Sequence, residues 1–289
     1  MQPIIIIGMH RSGTSMVASI MKQLGVIMGH DLDENYESSF FYHLNEWIFH
    51  QAGATWDNPF NLNFCSDDFN QQIIKNLSKQ ICSIKTMGYL GSFLAYLKYK
   101  SLQNLINPWG WKDPRNTFTL NFWNQLFPGS RILHIYRNPV DVAISLRNRE
   151  HEFINIRNSQ TRTGIKQIFR EFVLSNERLY SKSLRVLQLE EGIKLWEQYI
   201  EKAMSYENDE SINIKHVCYE TLIDQPREQI TSILEFLNIS INQNKLKTSL
   251  SGINNNRKYA FTLNPENVDF YESIKNNELV KKFGYDTIC

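Results

Sequence analysis

Residues Ile4-Ile5-Ile6-Ile7-Gly8-Met9-His10-Arg11-Ser12-Gly13-Thr14-Ser15 carry a run of branched apolar side chains straight into a loop with two glycines. A buried strand feeding a Gly-spaced loop and then a helix is how chains cradle phosphate groups. Glycine backbone turns tightly and approaches an anion closely, and the helix start presents free amide hydrogens. The helix is read from Val17, Ile20, Met21 and Leu24, which fall at i, i+3, i+4 and i+7, with Gly25 where a C-terminal cap belongs. Gly8 and Gly13 have the spacing of a Walker loop, but Thr14 stands at the position of the Walker lysine and the cation comes earlier, as Arg11. The loop is a relative of the Walker loop without its lysine; an ordinary glycine turn between core elements is the alternative.

Three further segments read as strands: Trp109 to Lys112, Arg131 to Tyr136 and Ile214 to Tyr219, in addition to Pro3 to Ile7. Strands alternating with helical patterns predict an α/β fold, a three-layer sandwich around a mainly parallel sheet. Ligands on such sheets bind beyond the carboxyl ends of the strands, where the Gly8 loop, the Asp113-Pro114 break and Arg137 all fall. A chain of 289 residues suits one large domain over 1–289, with a charged, amide-rich cover or insertion around 147–170. A solvated helix face is the other reading of that stretch. Leu90, Phe93, Leu94 and Leu97 share one helical face, which predicts a packed amphipathic helix within Leu90 to Ile106. Asn254-Asn255-Asn256 reads as a polar loop.

With 31 basic and 30 acidic side chains the formal charge is +1, so the chain lacks the global basic field of a nucleic-acid binder and any anion site is local. Cys65, Cys82, Cys218 and Cys289 show no paired short spacing, which predicts reduced structural thiols instead of a disulfide frame or metal site. No basic leader precedes the isoleucine run, which is too short for a signal core or a membrane span; a cytoplasmic protein with no membrane span is expected.

A second anion grip follows the third strand. In Arg137-Asn138-Pro139-Val140-Asp141-Val142-Ala143-Ile144-Ser145, Asn138 can cap a helix, Pro139 suits its first position and Asp141 completes a box-like start. Ser145 lies two turns along the same face, so Arg137 and Ser145 could hold one phosphate, or Arg137 could pair with Asp141. A loop of this kind after strand one, joined to an Arg and a Ser eight residues apart after a later strand, closely resembles the sulfotransferase family that uses 3'-phosphoadenosine 5'-phosphosulfate (PAPS). Gly110-Trp111-Lys112-Asp113-Pro114-Arg115 is similar to a segment of the bacterial and tyrosylprotein-type branch, and Tyr219-Glu220-Thr221-Leu222 to the family's Y-E-x-L strand end. The resemblance runs from Ile4 to Leu237 and includes Trp196-x-x-Tyr199 and the helix after Pro226, with Ile230, Ile233, Leu234 and Leu237 on one face, both read as core. The loop departs from the lysine-containing version of the phenol and steroid enzymes, and only Arg257-Lys258 followed by Tyr259 echoes their C-terminal R-K-G segment.

The resemblance implies an enzyme that moves a sulfuryl group from PAPS to an acceptor hydroxyl, a carbohydrate or other alcohol by likeness to the bacterial branch. It implies that Arg11, Ser12, Gly13, Thr14 and Ser15 hold the 5'-phosphosulfate and that Arg137 and Ser145 hold the 3'-phosphate, with Arg257 and Lys258 as further candidates. In-line transfer needs a base at the attacking hydroxyl and cations around the other oxygens. Arg11 suits the second task, as does Lys112, which resembles the lysine of the K-D-P segment; an ion pair with Asp113 is its alternative. The base is expected at Glu37, because Asn35-Tyr36-Glu37, Leu44-Asn45-Glu46 and Gly53-Ala54-Thr55-Trp56 resemble the bacterial segment that holds the acidic residue. Like charge from the nearby anions would raise its basicity. Asp31, Asp33, Glu34 and Glu46 compete for that role or form a solvated acidic loop, and His43 and His50 are other candidates. No H-x-x-x-H, paired C-x-x-C or Walker lysine is present and Asp31-Leu32-Asp33 reads as a solvated turn, so no metal is expected. Phe40, Phe41, Trp47 and Trp56 either line the cleft or pack the core. The rival functions are a metal-dependent P-loop kinase of a small metabolite and a non-catalytic nucleotide-binding protein on the same scaffold.

Overall fold

The computed structural model describes residues 1–159, 181–240, 242–253 and 257–288. The chain divides into two compact units, one made of Met1–Asn138 and Gln198–Ala260, the other of Pro139–Glu197 and Phe261–Cys289. The first unit holds the sheet. Among the described residues, β1 (Ile4–Ile7), β2 (Gly110–Lys112), β3 (Arg131–Tyr136) and β4 (Asn213–Cys218) lie in the order β2-β1-β3-β4. Every pairing is parallel, with Ile6 opposite Lys112 and Leu133 and with His134 opposite His216. All four strands fall where the branched apolar runs predict them.

Among the described residues the α-helices are α1 (Thr14–Gln23), α2 (Ser39–Gln51), α3 (Asp67–Gln80), α4 (Met87–Leu90), α5 (Phe93–Tyr99), α6 (Asn116–Leu126), α7 (Pro139–Ser159), α8 (Leu189–Ser205), α9 (Tyr219–Asp224), α10 (Pro226–Phe236), α11 (Gln243–Leu250), α12 (Pro265–Ile274) and α13 (Glu278–Lys282). Alternation along β1 sends Ile5 and Ile7 to one face and Ile4 and Ile6 to the other. The first pair packs with Phe41, Ile48, Leu77, Trp111, Leu120 and Trp123 of α2, α3, β2 and α6. The second packs with Val17, Met21, Ile230, Ile233 and Leu246 of α1, α10 and α11. Helices therefore cover both faces, which makes this unit the expected three-layer α/β sandwich.

One open reading is decided here and one expectation is corrected. Phe40 and Phe41 are buried, and Phe41 lies flat on Trp111 with centroids 3.9 Å apart, so these rings build the core and offer no face to a ligand. Trp47 is half-buried against the same core. The single helix expected within Leu90 to Ile106 is broken. Gly91 ends α4 in the left-handed region (φ +83°), and the Ser92 hydroxyl then accepts the Ala95 amide at 3.1 Å to start α5. The break changes the rotation of everything after it, so Leu90 is buried while Phe93, Leu94 and Leu97 are exposed.

In the second unit α7 begins at the predicted proline, and Asp141 accepts the Phe261 amide at 3.0 Å. The Glu150 carboxylate binds the Ser181 hydroxyl and the Lys182 amide, each at 2.6 Å. Of the stretch expected to form a cover, 147–159 is the end of α7 and 160–170 lies outside the described residues, as do Asn254, Asn255, Asn256 and Cys289. Cys65, Cys82 and Cys218 are free thiols. No helix among the described residues is long and apolar enough to cross a membrane.

Candidate active site

The loop after β1 is shaped by what its glycines touch. Gly8 sits at φ +136°, and a Cβ there would stand 2.2 Å from the Ile135 carbonyl oxygen of β3. Its amide donates to the Thr117 hydroxyl at 3.1 Å, which ties the loop to α6. Gly13, at φ +96°, is pressed against the Tyr219 ring: a Cβ would fall 2.4 Å from Cδ2. Between them the Ser12 side chain is buried, and its hydroxyl points to the Met9 and Ile135 carbonyls at 2.6 and 3.0 Å. Ser12 thus fixes the loop from within; its hydroxyl does not face outward as a ligand would. Arg11 is exposed and holds a left-handed backbone (φ +71°). Thr14 and Ser15 open α1, whose first turn has no acidic residue and no side-chain cap. Such a helix start presents amides without intrahelical partners at the positive end of the dipole. His10 packs edge-on against Trp56 at 4.7 Å, so Trp56 is part of the loop's wall.

At the neighbouring strand end, parallel pairing sets Lys112 beside Ile6, just before the loop begins. Lys112 is 1% exposed and its Nζ lies 2.7 Å from Oε1 of Glu37, itself 8% exposed. Two expected catalytic residues, 75 positions apart, are therefore in contact. Glu37 is aimed by the preceding turn, where Asp33 Oδ1 accepts the amides of Asn35 and Glu37, both at 2.8 Å. Asp31 Oδ2 accepts the Phe40 amide at 2.8 Å near the start of α2. The Asp31-Leu32-Asp33 carboxylates thus build the turn, a local use of short acidic side chains. Glu34 is exposed, Glu46 faces His43 at 3.8 Å on the outer side of α2, and His50 is exposed. Burial raises the Glu37 pKa, and the Lys112 charge opposes that rise. The like charge of Asp113 adds a smaller upward push.

Asp113 is not the partner of Lys112. Its carboxylate accepts the Arg115 amide and Nε at 2.9 and 3.0 Å through Oδ1, and Arg115 Nη2 and Asn45 Nδ2, each at 2.9 Å, through Oδ2. Asn45 also donates to Asn116 Oδ1 at 2.8 Å, while its own oxygen accepts Thr119 Oγ1 and Trp123 Nε1 at 2.8 and 2.9 Å. Every polar position of the Asn45 amide is used. The Arg115 guanidinium lies 3.9 Å from the Tyr42 ring centroid. These buried groups tie the end of β2 to α2 and α6.

Beyond β3, Arg137 donates to the Arg11 carbonyl at 3.4 Å and to the Arg257 carbonyl, with its guanidinium 4.7 Å from the Tyr219 centroid. Tyr219 thus touches both anion-loop glycine and arginine. Next to it Glu220 accepts the Asn138 amide at 2.9 Å, so the Y-E pair shapes two strand ends. Sequence reasoning matched that motif without seeing this role, quoted Asn45 and Arg115 only as members of family-like segments and passed over Thr117; the Y-E pair directly after β4 was the available signal. Arg257 is exposed, and Lys258 Nζ is 2.5 Å from Asp224 Oδ2. Ser145 is half-buried on α7, in the second unit. Among the described residues no group of three or more His, Cys, Asp or Glu side chains is arranged to hold a metal ion.

Residues 3–243 match the family model described as "Sulfotransferase family". No curated protein sequence matches. Among solved structures, the chain is similar to the sulfotransferase domain of the Synechococcus PCC 7002 olefin synthase, with 17% identity, a TM-score of 0.47 and coverage of 99% of this chain and 95% of that one. The sulfotransferase domain from the curacin biosynthetic pathway gives 14%, 0.46, 89% and 79% in the same terms. Mouse sulfotransferase SULT7A1, solved in complex with PAP, gives 13%, 0.40, 96% and 66%.

Proposed function

Because this chain belongs to the sulfotransferase family, we propose that it moves a sulfuryl group from PAPS to an acceptor hydroxyl. The observation that carries this reading is the buried contact between Lys112 and Glu37, a cation and a base of raised pKa held at 2.7 Å beside the loop. That loop fits a doubly charged phosphosulfate. Gly8 and Gly13 leave no room for side chains, the start of α1 carries no competing acid, and Arg11 stands exposed at the turn. The backbone of Ser12, Gly13, Thr14 and Ser15, with the Thr14 and Ser15 hydroxyls and Arg11, would hold the 5' end. Arg137 and Ser145 would hold the 3'-phosphate, with Arg257 and Lys258 as further candidates. PAPS supplies an activated sulfuryl group whose S–O bond to the phosphate breaks as the bond to the acceptor oxygen forms.

The chain's own side chains do the rest. Glu37 takes the proton of the acceptor hydroxyl, and Lys112 and Arg11 offset the negative charge on the transferring oxygens. An anion that draws Lys112 toward itself leaves Glu37 buried with less of its counter-charge, which strengthens it as a base. We place the acceptor among carbohydrates and other alcohols, on the family resemblance alone. Labelled-sulfate transfer onto glycans, lipids, peptides and phenols tests that choice.

3'-phosphoadenosine 5'-phosphate at about a hundred times its Kd should stabilise the protein by roughly 3 kcal/mol. The melting shift should vanish in Arg137→Ala. Glu37→Gln should keep the shift and lose about a hundredfold or more in transfer rate. A shift with ATP and Mg²⁺ but none with the 3',5'-bisphosphate overturns the reading in favour of a kinase. A shift without transfer to any acceptor reduces it to a nucleotide-binding scaffold.

A further inference from the structure

Residues 69–112 contain six lysines (75, 79, 85, 98, 100 and 112) and no Asp or Glu, in a chain that otherwise balances 31 basic against 30 acidic side chains. The same stretch holds the largest group of exposed apolar side chains in the first unit: Ile84 (56%), Met87 (41%), Phe93 (49%), Leu94 (77%), Leu97 (48%) and Ile106 (72%). All but Ile106 form one neighbourhood, because the turn Ile84–Thr86 packs against both α4 and α5 and those two helices pack on each other. No residue of α5 is fully buried; Ala95, Tyr96 and Tyr99 lean on the core while Phe93, Leu94, Leu97 and Lys98 point away from it. Lys85, Lys98 and Lys100 are exposed beside these side chains. Asp31, whose side chain lies 3.7 Å from where a Gly88 Cβ would stand, accepts the Phe40 amide through Oδ2.

We propose that this face docks the enzyme on the surface of an anionic phospholipid bilayer. Short helices with Phe and Leu on one side and lysines around them lie in the headgroup layer, apolar side inward, and the lysines meet the acidic headgroups. Charge decides between this occupant and a second copy of the chain. A two-fold contact would set Lys85, Lys98 and Lys100 against their own counterparts, with no acid in the segment to neutralise them. Contiguous apolar exposure on this scale also calls for a cover. The role is independent of sulfuryl transfer: it brings the catalyst to a surface and leaves the choice of acceptor to the site.

The test is co-sedimentation of the full chain with vesicles of equimolar phosphatidylglycerol and phosphatidylcholine, against vesicles of phosphatidylcholine alone. Binding should be confined to the anionic vesicles and should weaken as salt rises. Leu94→Glu/Leu97→Glu should lower partitioning about a hundredfold, and Lys85→Gln/Lys98→Gln about thirtyfold. Both variants change exposed side chains and should keep the melting shift with 3'-phosphoadenosine 5'-phosphate, which separates loss of docking from loss of fold. Equal binding to both vesicle types, or none to either, overturns the proposal. So does a dimer in sedimentation velocity that Leu94→Glu/Leu97→Glu dissociates, which would assign the face to self-association.

Discussion

The connections that leave β1 and β2 sit side by side and are held in opposite ways. The β1 loop is tied by contacts that bring no carboxylate: the Gly8 amide on Thr117, the Ser12 hydroxyl on two carbonyls, the Tyr219 ring on Gly13 and the Arg137 guanidinium on the Arg11 carbonyl. The β2 exit is held by charge, Lys112 on Glu37 and Asp113 on Arg115, with Asn45 joining it to α2 and α6. A loop meant to meet an anion gains from internal ties that carry no negative charge, since a fixed carboxylate nearby would compete with the ligand. A segment that must keep an ammonium and a carboxylate ready in a dry place needs each charge compensated. The first arrangement should therefore respond to shape changes and the second to removal of one partner.

The largest effect is expected at the charged exit. Asp113→Ala strips four hydrogen bonds and leaves the Arg115 guanidinium buried without its carboxylate. A loss of about 3–5 kcal/mol in urea unfolding is expected, as for other broken buried pairs. Lys112→Met should cost about as much by stranding Glu37, and it has a signature of its own. The folded pKa of Glu37 is already raised by burial, so its contribution to stability is full below the unfolded value of 4.5 and is lost as pH rises through the folded one. Without Lys112 the folded value rises further, so the variant's deficit should grow between acid and neutral pH. A deficit that does not change with pH would mean Glu37 is solvated and would break the contrast drawn here.

Shape comes next. Gly8→Ala forces a Cβ to within 2.2 Å of the Ile135 oxygen at a φ that side chains avoid. Relief requires β3 or the loop to shift, at about 3 kcal/mol by thermal or urea unfolding. Ser12→Ala removes one hydroxyl from two carbonyls and should cost only about 1 kcal/mol, with the nucleotide-induced shift largely kept. Loss of the whole shift in Ser12→Ala would return that hydroxyl to ligand duty.

Which parts of this were readable from residues follows the range of the interactions. Strand ends, the glycine loop and the start of α7 are local, and patterns such as Ile4-Ile5-Ile6-Ile7 or Asn138-Pro139 announce them. Glu37 and Lys112 were each recognised from their own segment, yet their meeting depends on the β1–β2 register and the Asp33 turn. The Asn45 hub was invisible, because a lone Asn in a helix of aromatic residues looks the same whether it is solvated or saturated by four partners. The break at Gly91-Ser92 was legible and outweighed the helical spacing of Leu90, Phe93, Leu94 and Leu97; stop and start signals decide rotation where a run is short.

The smallest expected effect supplies a reference for both loops, because it belongs to the sheet beneath them. His134 and His216 face each other across β3 and β4 with Nδ1 atoms 2.7 Å apart. Burial lowers both pKa values, His134 well below 6.5 and with a further push from His216, while Glu207 draws His216 back up. A histidine whose folded pKa is depressed contributes stability that is complete above its unfolded value of 6.5 and is lost as pH falls through the folded one. The unmodified protein should therefore weaken steadily below pH 6.5, whereas His134→Asn, less stable at neutral pH, should show a shallower decline. Gly8→Ala and Ser12→Ala should run parallel to the unmodified curve, since no charge is added or removed. Lys112→Met should converge on it in acid, where Glu37 is protonated. Parallel curves for all of these variants would show that charge does not distinguish the two strand ends, whatever their contacts.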